Sequence, residues 1–495
     1  MGLITQRSRV QIPPPQPSLY IQTVNQSDKK KATRKNIKDL IQRARQAQEE
    51  YQCFSQERVD EVVTAIAWTL IQPEHNQLLS KMAIQDTGLG CLEDKITKNH
   101  RKTIGLLRDL TMAKSVGVIA ECSDTGIIEI ARPVGVVGAL TPSTNPVATP
   151  TNMVMNCLKC CNAIVLSPSP KGHRTATKLV ELFRKALHQV QAPINLIQIL
   201  PEPISKKATH ELMLHVDLVI ATGSESNVRA AYRSGTPAIG VGKGNVPVIV
   251  DTSANLSDVA SKIALSKTFD HATSCSAENS IVLIGETYGT LISKLEEEGG
   301  VLLTSKEKDH LQNCLWNDGQ LNRQIVAKPV KKICEVAQLE REEIQVAKFL
   351  LIEETGVGAQ YPFSGEKLSL VLALYHVPDF DTAVKLVQRI LDYQGRGHSC
   401  GIHTKNEQQV LRLGLEIPVC RVIVNQAHCL ANGGNFDNGL PFTLSMGCGT
   451  WGGDSIHENL HYKHYMNVTK IVHTIPTNEP SEEELFESYH TKYGK

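Results

Sequence analysis

Val134-Gly135-Val136-Val137-Gly138-Ala139-Leu140-Thr141-Pro142-Ser143-Thr144-Asn145-Pro146 is a short apolar run that stops at a polar turn bracketed by prolines. Similar runs follow at Ala163 to Leu166, Leu196 to Leu200, Leu218 to Ala221 and Val246 to Val250, separated by stretches of helical length. Short buried strands alternating with helices predict a parallel α/β sheet, because parallel neighbours need crossover connections that cover both faces. Sheets of this kind bind ligands beyond the carboxyl ends of their strands, so the turn Thr141 to Pro146 is an early candidate for function.

Working outward towards the N-terminus, Gly126-Ile127-Ile128-Glu129-Ile130-Ala131 and Val116-Gly117-Val118-Ile119-Ala120 flank a Ser123-Asp124 turn and predict a hairpin arm over 116–131. Before it, Ser55 reads as an N-cap, and Val59, Val62, Val63, Ile66 and Leu70 follow at helical spacing, within a helical lead-in over 34–115. Residues 1–33, with Ile12-Pro13-Pro14-Pro15-Gln16-Pro17, read as a disordered tail too proline-rich for a signal peptide. Patterned sequence starts near Arg34, as expected if the tail arises from a misplaced start codon.

Towards the C-terminus a second α/β unit begins at Asp251, with strands at Ile281 to Ile284, Phe349 to Ile352 and Leu370 to Tyr375. The domains expected are thus a tail (1–33), a dinucleotide-binding domain (34–250), a catalytic thiol domain (251–425), and a return to the first domain with an oligomerisation strand (426–495). Ser266-Lys267-Thr268-Phe269-Asp270-His271-Ala272-Thr273-Ser274-Cys275-Ser276-Ala277-Glu278-Asn279-Ser280 sets one cysteine among small polar residues between a helix and a strand. Cys275 there is a candidate nucleophile needing only a modest pKa reduction from nearby amide dipoles, the alternative for any single thiol being a buried structural cysteine. Asn145, just past the first strand, suits an oxyanion-hole donor, although Asn before Pro is also an ordinary turn.

The 52 basic and 51 acidic residues give a formal net charge of +1, without a broad electrostatic footprint for nucleic acid or an anionic membrane. No apolar stretch is long enough to span a bilayer. Thirteen cysteines, an odd number scattered through 495 residues, point to reduced thiols in a cytoplasmic enzyme.

Asn145 after the first strand and Cys275 opening the second unit resemble the aldehyde dehydrogenase superfamily, and within it the CoA-acylating branch. The resemblance runs from about Arg34 to Thr474 and includes Ala221-Thr222-Gly223, Ala230 to Gly242, Gly365-Glu366-Lys367-Leu368-Ser369, Gly397-His398-Ser399 and Met446 to Gly453. It implies a fold of two doubly wound parallel-sheet domains with a small β oligomerisation arm, and a homo-oligomer, dimer or tetramer. It also implies an aldehyde oxidised through a Cys275 thioester, with Asn145 and the Cys275 backbone N–H holding the oxyanion. Hydrolytic members carry a glutamate before a glycine pair on the strand preceding the nucleophile. Here the corresponding stretch is Ile239-Gly240-Val241-Gly242-Lys243-Gly244-Asn245, without a carboxylate. A general base contributes about two to four orders of magnitude, so the thioester is expected to await CoA instead of water.

The resemblance further places NAD(P) against Ser167, Ser169, Lys171, Gly223, Ser224, Gly242 and Glu366, and gives His398 a proton-transfer role, a structural histidine being the alternative. Lys171, His173 and Arg174 cluster without a nearby carboxylate, which suits the 2'-phosphate of NADP over NAD, basic groups that decorate a helix N-terminus being the alternative. Arg396, with Gln426 or His428, is a candidate ligand of an anionic substrate tail, an outward-facing arginine being the alternative. The segment from Asn425 to Phe486 resembles succinate-semialdehyde and sulfoacetaldehyde acylating enzymes, which implies sulfoacetaldehyde, with succinate semialdehyde, acetaldehyde, hydrolytic release or an idle scaffold as alternatives. No metal is expected: Cys157-Leu158-Lys159-Cys160-Cys161 lacks a second ligand pair, and His457, His461 and His464 read as surface residues. Gly242-Lys243-Gly244 lacks the spacing of a phosphate loop.

Overall fold

The computed structural model describes residues 18–495 apart from Asp318, with side chains from residue 34 onward. Of the tail expected over 1–33, residues 1–17 lie outside the described residues. Helix α1 (Ser18–Tyr51) starts directly after Pro17, earlier than the composition implied. Past that last proline every residue can donate to a helical ladder, so the packed segment after Arg34 extends backwards without a breaker.

Ser55 caps α2 (Gln56–Ile71), its side chain accepting from Arg58 N, and Val59, Val62, Val63, Ile66 and Leu70 are all buried. Next come α3 (Pro73–Thr87) and α4 (Leu92–Thr111), which packs on α2, α3 and α5 (Ala148–Lys159). The arm is a hairpin of β1 (Gly117–Cys122) and β2 (Ile127–Pro133).

The first sheet holds β3 (Val136–Thr141), β4 (Ala163–Pro168), β5 (Ile197–Ile199), β6 (Leu218–Thr222) and β7 (Ala238–Val241) in the order β5-β4-β3-β6-β7, all parallel. The chain winds outward from β3 through β4 and β5, then returns to its other side through β6 and β7. This puts a topological switch point, where open sheets form their ligand crevice, between the ends of β3 and β6. Helices α5, α6 (His173–Gln189), α7 (Lys206–Met213) and α8 (Glu225–Tyr232) are its crossovers.

The second sheet has the order β10-β13-β14-β9-β8-β15-β16, all neighbours parallel. Its strands are β8 (Val246–Val250), β9 (Glu278–Ile284), β10 (Gly300–Leu302), β13 (Phe349–Glu353), β14 (Val371–Val377), β15 (Cys400–His403) and β16 (Val422–Val424), with a two-residue pair β11 (Trp316–Asn317) and β12 (Gln320–Leu321) outside it. Val246–Val250, expected to close the first domain, lies near the middle of this second sheet, between β9 and β15. A buried parallel strand reads as an apolar run whichever sheet takes it, so the run could not name its partners. Helix α9 (Leu256–Thr268) connects β8 to the nucleophile loop. The two sheets carry two separate apolar cores.

Near the C-terminus β17 (Met466–Val472) pairs antiparallel with β2, completing a three-stranded arm on which Val468, Ile471 and Val472 are exposed. Among the described residues no helix is long and apolar enough to cross a membrane.

Candidate active site

A cavity of about 420 Å³ lies between the two sheets, at the switch point of the first. Its lining includes Asn145 beyond β3, Gly223 and Ser224 beyond β6, Ser169 beyond β4, Gly242 beyond β7, Cys275 before β9, and Glu366. Seven residues chosen from sequence thus converge on one space.

Two buried polar systems position Cys275. Behind the loop, Glu278 accepts from Ser266 Oγ of α9 at 2.5 Å and from His428 N at 3.2 Å, while His428 Nδ1 bonds Ser276 O at 2.9 Å. Ahead of it, Asp270, His271 and Ala272 all adopt left-handed backbone, with φ of 48°, 50° and 55°. None is glycine, and such residues cost roughly 1–2 kcal/mol each, so something must hold the turn. The Asp270 carboxylate does: Oδ2 accepts from Lys95 Nζ at 3.0 Å, Lys98 Nζ at 2.5 Å and Thr273 Oγ1 at 2.8 Å, and Oδ1 from Cys91 N at 2.9 Å. Burial opposes its charge, yet Lys98, Lys95 and these hydrogen bonds keep its carboxyl below the usual range.

Lys98 also donates to Asn145 Oδ1 at 2.9 Å, which occupies the acceptor end of that amide, while Nδ2 has no protein partner among the described residues. The Cys275 N–H meets no protein acceptor among the described residues. Those are the two donors that sequence named for holding an oxyanion, and Lys98 bonds one of them. Removing one such donor costs about 10²–10³ in kcat in acyl-transfer sites. Asn145→Ala is expected to lose that much in steady-state aldehyde oxidation while its thermal unfolding stays near that of the parent.

The thiol is not lowered as expected. Burial, and then the Glu366 carboxyl facing it, push Cys275 up to about 12. Burial also pushes Glu366 up to about 8. The free protein therefore stores a neutral thiol opposite a mostly neutral carboxylic acid. Amide dipoles alone do not outweigh the loss of water around the sulfur.

The loop Val241 to Gly244 lies directly against Cys275: a Cβ on Gly244 would sit 2.1 Å from Cys275 O, and one on Gly240 2.4 Å from Val228 Cγ1 of α8. Glu366 is the sole carboxylate among the described residues lining the cavity. Its loop is tied down by Lys367, whose Nζ donates to Phe363 O at 2.5 Å and Gly365 O at 3.0 Å.

The donor set at one end of the cavity suits a dinucleotide. Ser224 caps α8, whose first-turn N–H groups and positive dipole end open beside Gly223 and Asn227, and Lys243 is held there by Glu225 at 2.9 Å. Ser167 instead lies behind the lining, bonded to Thr209 Oγ1 at 2.9 Å. Of the three basic residues read as a 2'-phosphate site, Arg174 pairs with Asp86 at 2.7 Å and His173 sits 2.9 Å from Glu202, leaving Lys171 exposed. The absence of nearby carboxylates assumed for NADP does not hold, because Asp86 arrives from α3, distant in sequence.

Arg396 is also displaced from its expected role. It is half exposed, 3.8 Å from Asp392, and outside the cavity lining. The flanking glycines explain this: a Cβ on Gly395 would meet Asn245 Cβ at 2.6 Å, and one on Gly397 the Cys448 carbonyl oxygen at 2.0 Å. The backbone turns inward at both, so the side chain between them turns out. Gln426 accepts from Asn438 at 3.0 Å and His428 is buried behind the loop, so neither forms an anion site with it.

His398 is fully buried outside the lining, its Nδ1 bonded to Ser399 Oγ at 2.8 Å and its Nε2 unpartnered. Burial, with Arg421 and His428 nearby, holds it well below the usual histidine range, hence neutral. Cys157, Cys160 and Cys161 are buried free thiols. His461 and His464 do not scatter over the surface; with Glu458 they place ligand atoms within 4.8 Å of one another, outside the cavity lining. Lys98, Asp270, Arg101 and Lys102 were missed as site residues, although Lys98, Arg101 and Lys102 recur at i, i+3, i+4 and so share one face of α4.

Comparison with known proteins agrees with this geometry. The model of the aldehyde dehydrogenase family matches residues 16–340. An acylating sulfoacetaldehyde dehydrogenase of Cupriavidus necator is 50% identical over 490 residues, 99% of this chain and 98% of that protein. A solved acetylating aldehyde dehydrogenase from Geobacillus thermoglucosidasius superposes with a TM-score of 0.87 at 32% identity, covering 91% of this chain and 99% of that one. A propionaldehyde dehydrogenase from Rhodopseudomonas palustris, solved with bound CoA and an acylated cysteine, gives 0.80 at 25% identity over 88% and 97% of the two chains.

Proposed function

The chain belongs to the aldehyde dehydrogenase family, and from that premise we propose that it oxidises sulfoacetaldehyde to its CoA thioester with NAD(P)+. The observation that carries this reading is the meeting of Cys275 with the Asn145 amide in a cavity whose only carboxylate among the described residues is Glu366. The similarity to the Cupriavidus necator enzyme supports the substrate, and the CoA-bound propionaldehyde dehydrogenase supports the acyl acceptor.

The minor thiolate form of Cys275, its proton lost to solvent, attacks the aldehyde carbon, and the oxygen takes the negative charge between Asn145 Nδ2 and the Cys275 N–H. The α8 N-terminus, Ser169, Lys243 and Glu366 would hold NAD(P)+, which would supply the hydride acceptor when bound. Loss of hydride from the substrate carbon leaves a thioester on Cys275. The thiolate of CoA then attacks that carbonyl, the same two donors stabilise the second oxyanion, and Cys275 leaves as thiolate. One thioester replaces another, so the step is reversible. Hydrolysis is suppressed because Gly240 and Gly244 have no room for a base and Glu366 is largely protonated at neutral pH. The exposed apolar residues of the arm support pairing between copies of the chain in a homo-oligomer.

Omitting CoA tests the reading. With sulfoacetaldehyde and NAD(P)+ alone, reduced cofactor should stop near one equivalent per active site, and adding CoA should restart turnover with acyl-CoA formed in step. Continued accumulation matched by free sulfoacetate would identify a hydrolytic enzyme instead.

A further inference from the structure

Among the described residues, two cations facing the cavity have no carboxylate partner. Helix α4 presents Lys98, Arg101 and Lys102 to it from one face. Lys98 is spoken for, bonded to Asp270, Thr273 and Asn145. Arg101 donates from Nη2 to the neutral amide oxygen of Asn435 at 2.5 Å and lies 5.7 Å over the Phe436 ring. Lys102 donates only to the carbonyl oxygens of Gly433 and Gly434, at 2.7 and 3.3 Å. Burial, with Arg101 and Lys98 alongside, pushes its ammonium down to about 7. Phe269, Leu430, Leu444 and Met446 make the surrounding wall apolar.

Charge left unneutralised against an apolar wall is costly unless a ligand completes it. We infer that Arg101 and Lys102 grip the anionic tail of the substrate, which on the function proposed above is the sulfonate of sulfoacetaldehyde. Position supports this. Lys98 anchors Asn145, which faces the reacting carbonyl, and Arg101 and Lys102 follow about one helical turn, roughly 5 Å, further along α4. Asn145, Cys275, Arg101 and Lys102 line the one cavity, so an aldehyde with its carbonyl at Asn145 and Cys275 can turn its tail towards α4. Three sulfonate oxygens can accept from the planar guanidinium and the ammonium together. Arg101 and Lys102 thereby take the role that sequence assigned to Arg396.

The test compares kcat/KM for sulfoacetaldehyde and propionaldehyde, at saturating CoA and NAD(P)+, in the parent protein, Arg101→Met, Lys102→Met and Arg101→Lys. Each charge-assisted contact is worth on the order of 10- to 100-fold. The ratio of the two substrates' kcat/KM should therefore fall by that factor in both methionine variants, chiefly through KM for sulfoacetaldehyde, with partial recovery in Arg101→Lys. Isethionate should compete with sulfoacetaldehyde in the parent and lose at least tenfold in potency in the methionine variants. Propionaldehyde turnover reports that each variant is folded. Should the parent prefer sulfoacetaldehyde while the methionine variants keep its full preference and isethionate sensitivity, this assignment falls and the proposed function stands. A parent that shows no preference for sulfoacetaldehyde over propionaldehyde takes both down.

Discussion

Cys275→Ala should eliminate aldehyde-dependent reduction of NAD(P)+, a loss on the order of 10⁴-fold or more, because the variant retains binding groups and oxyanion donors but has no atom to form the acyl bond. Intact-mass analysis of the parent, mixed with aldehyde and NAD(P)+ without CoA, should show one acyl adduct that maps to position 275. The variant should show none. Cys429 is a second buried thiol in the lining, and an adduct on it in Cys275→Ala would place the covalent step there instead. Burial of the Cys275 thiol also sets a pH dependence. With the Cys275 thiol at about 12, the thiolate fraction in the free enzyme rises about tenfold per pH unit through neutrality, so kcat/KM for propionaldehyde, which does not draw on the Lys102 charge, should climb between pH 6 and 9. Reduced cofactor formed normally by Cys275→Ala would sink the covalent route.

How far the sequence alone reaches depends on the range of the interaction. The turn after Val134 to Leu140 and the loop around Cys275 were legible because punctuation is local: an apolar run, then proline, or small polar residues before a strand. The match of Asn145, Gly223, Ser224, Gly242, Cys275 and Glu366 to one cavity follows from parallel sheets, which gather strand ends on one side. Arg396 and the Lys171-His173-Arg174 cluster failed for the opposite reason. Charge near a motif says nothing about which way a side chain points or which acid comes from elsewhere, and Gly395, Gly397 and Asp86 decide both. Lys98 and Asp270 went unread because their importance lies in a contact across 172 positions.

That contact underlies the second large effect. Asp270→Asn should leave Lys95 and Lys98 buried without their shared counter-charge, and breaking a buried ion pair by removing one partner costs roughly 3–5 kcal/mol. The loss falls on the turn that can least bear it, since the left-handed backbone of Asp270, His271 and Ala272 is held by this carboxylate immediately before the nucleophile. Lys98, released, no longer fixes the Asn145 amide, so the oxyanion hole loosens as Cys275 shifts. The expected outcome is a thermal midpoint lowered by several degrees or more, with kcat reduced more than 10²-fold even at temperatures where circular dichroism reports a folded protein. The parent should show the corresponding pH response. The folded pKa of Asp270 is depressed, so its contribution is fully present above its unfolded value near 4 and disappears as pH falls through the lower folded one. The parent should therefore lose more stability on acidification below about pH 4 than Asp270→Asn, which has no carboxylate left to protonate. A variant with parental midpoint and parental kcat would mean that the turn is held by its packing, and that the Lys95, Lys98 and Asp270 cluster positions nothing.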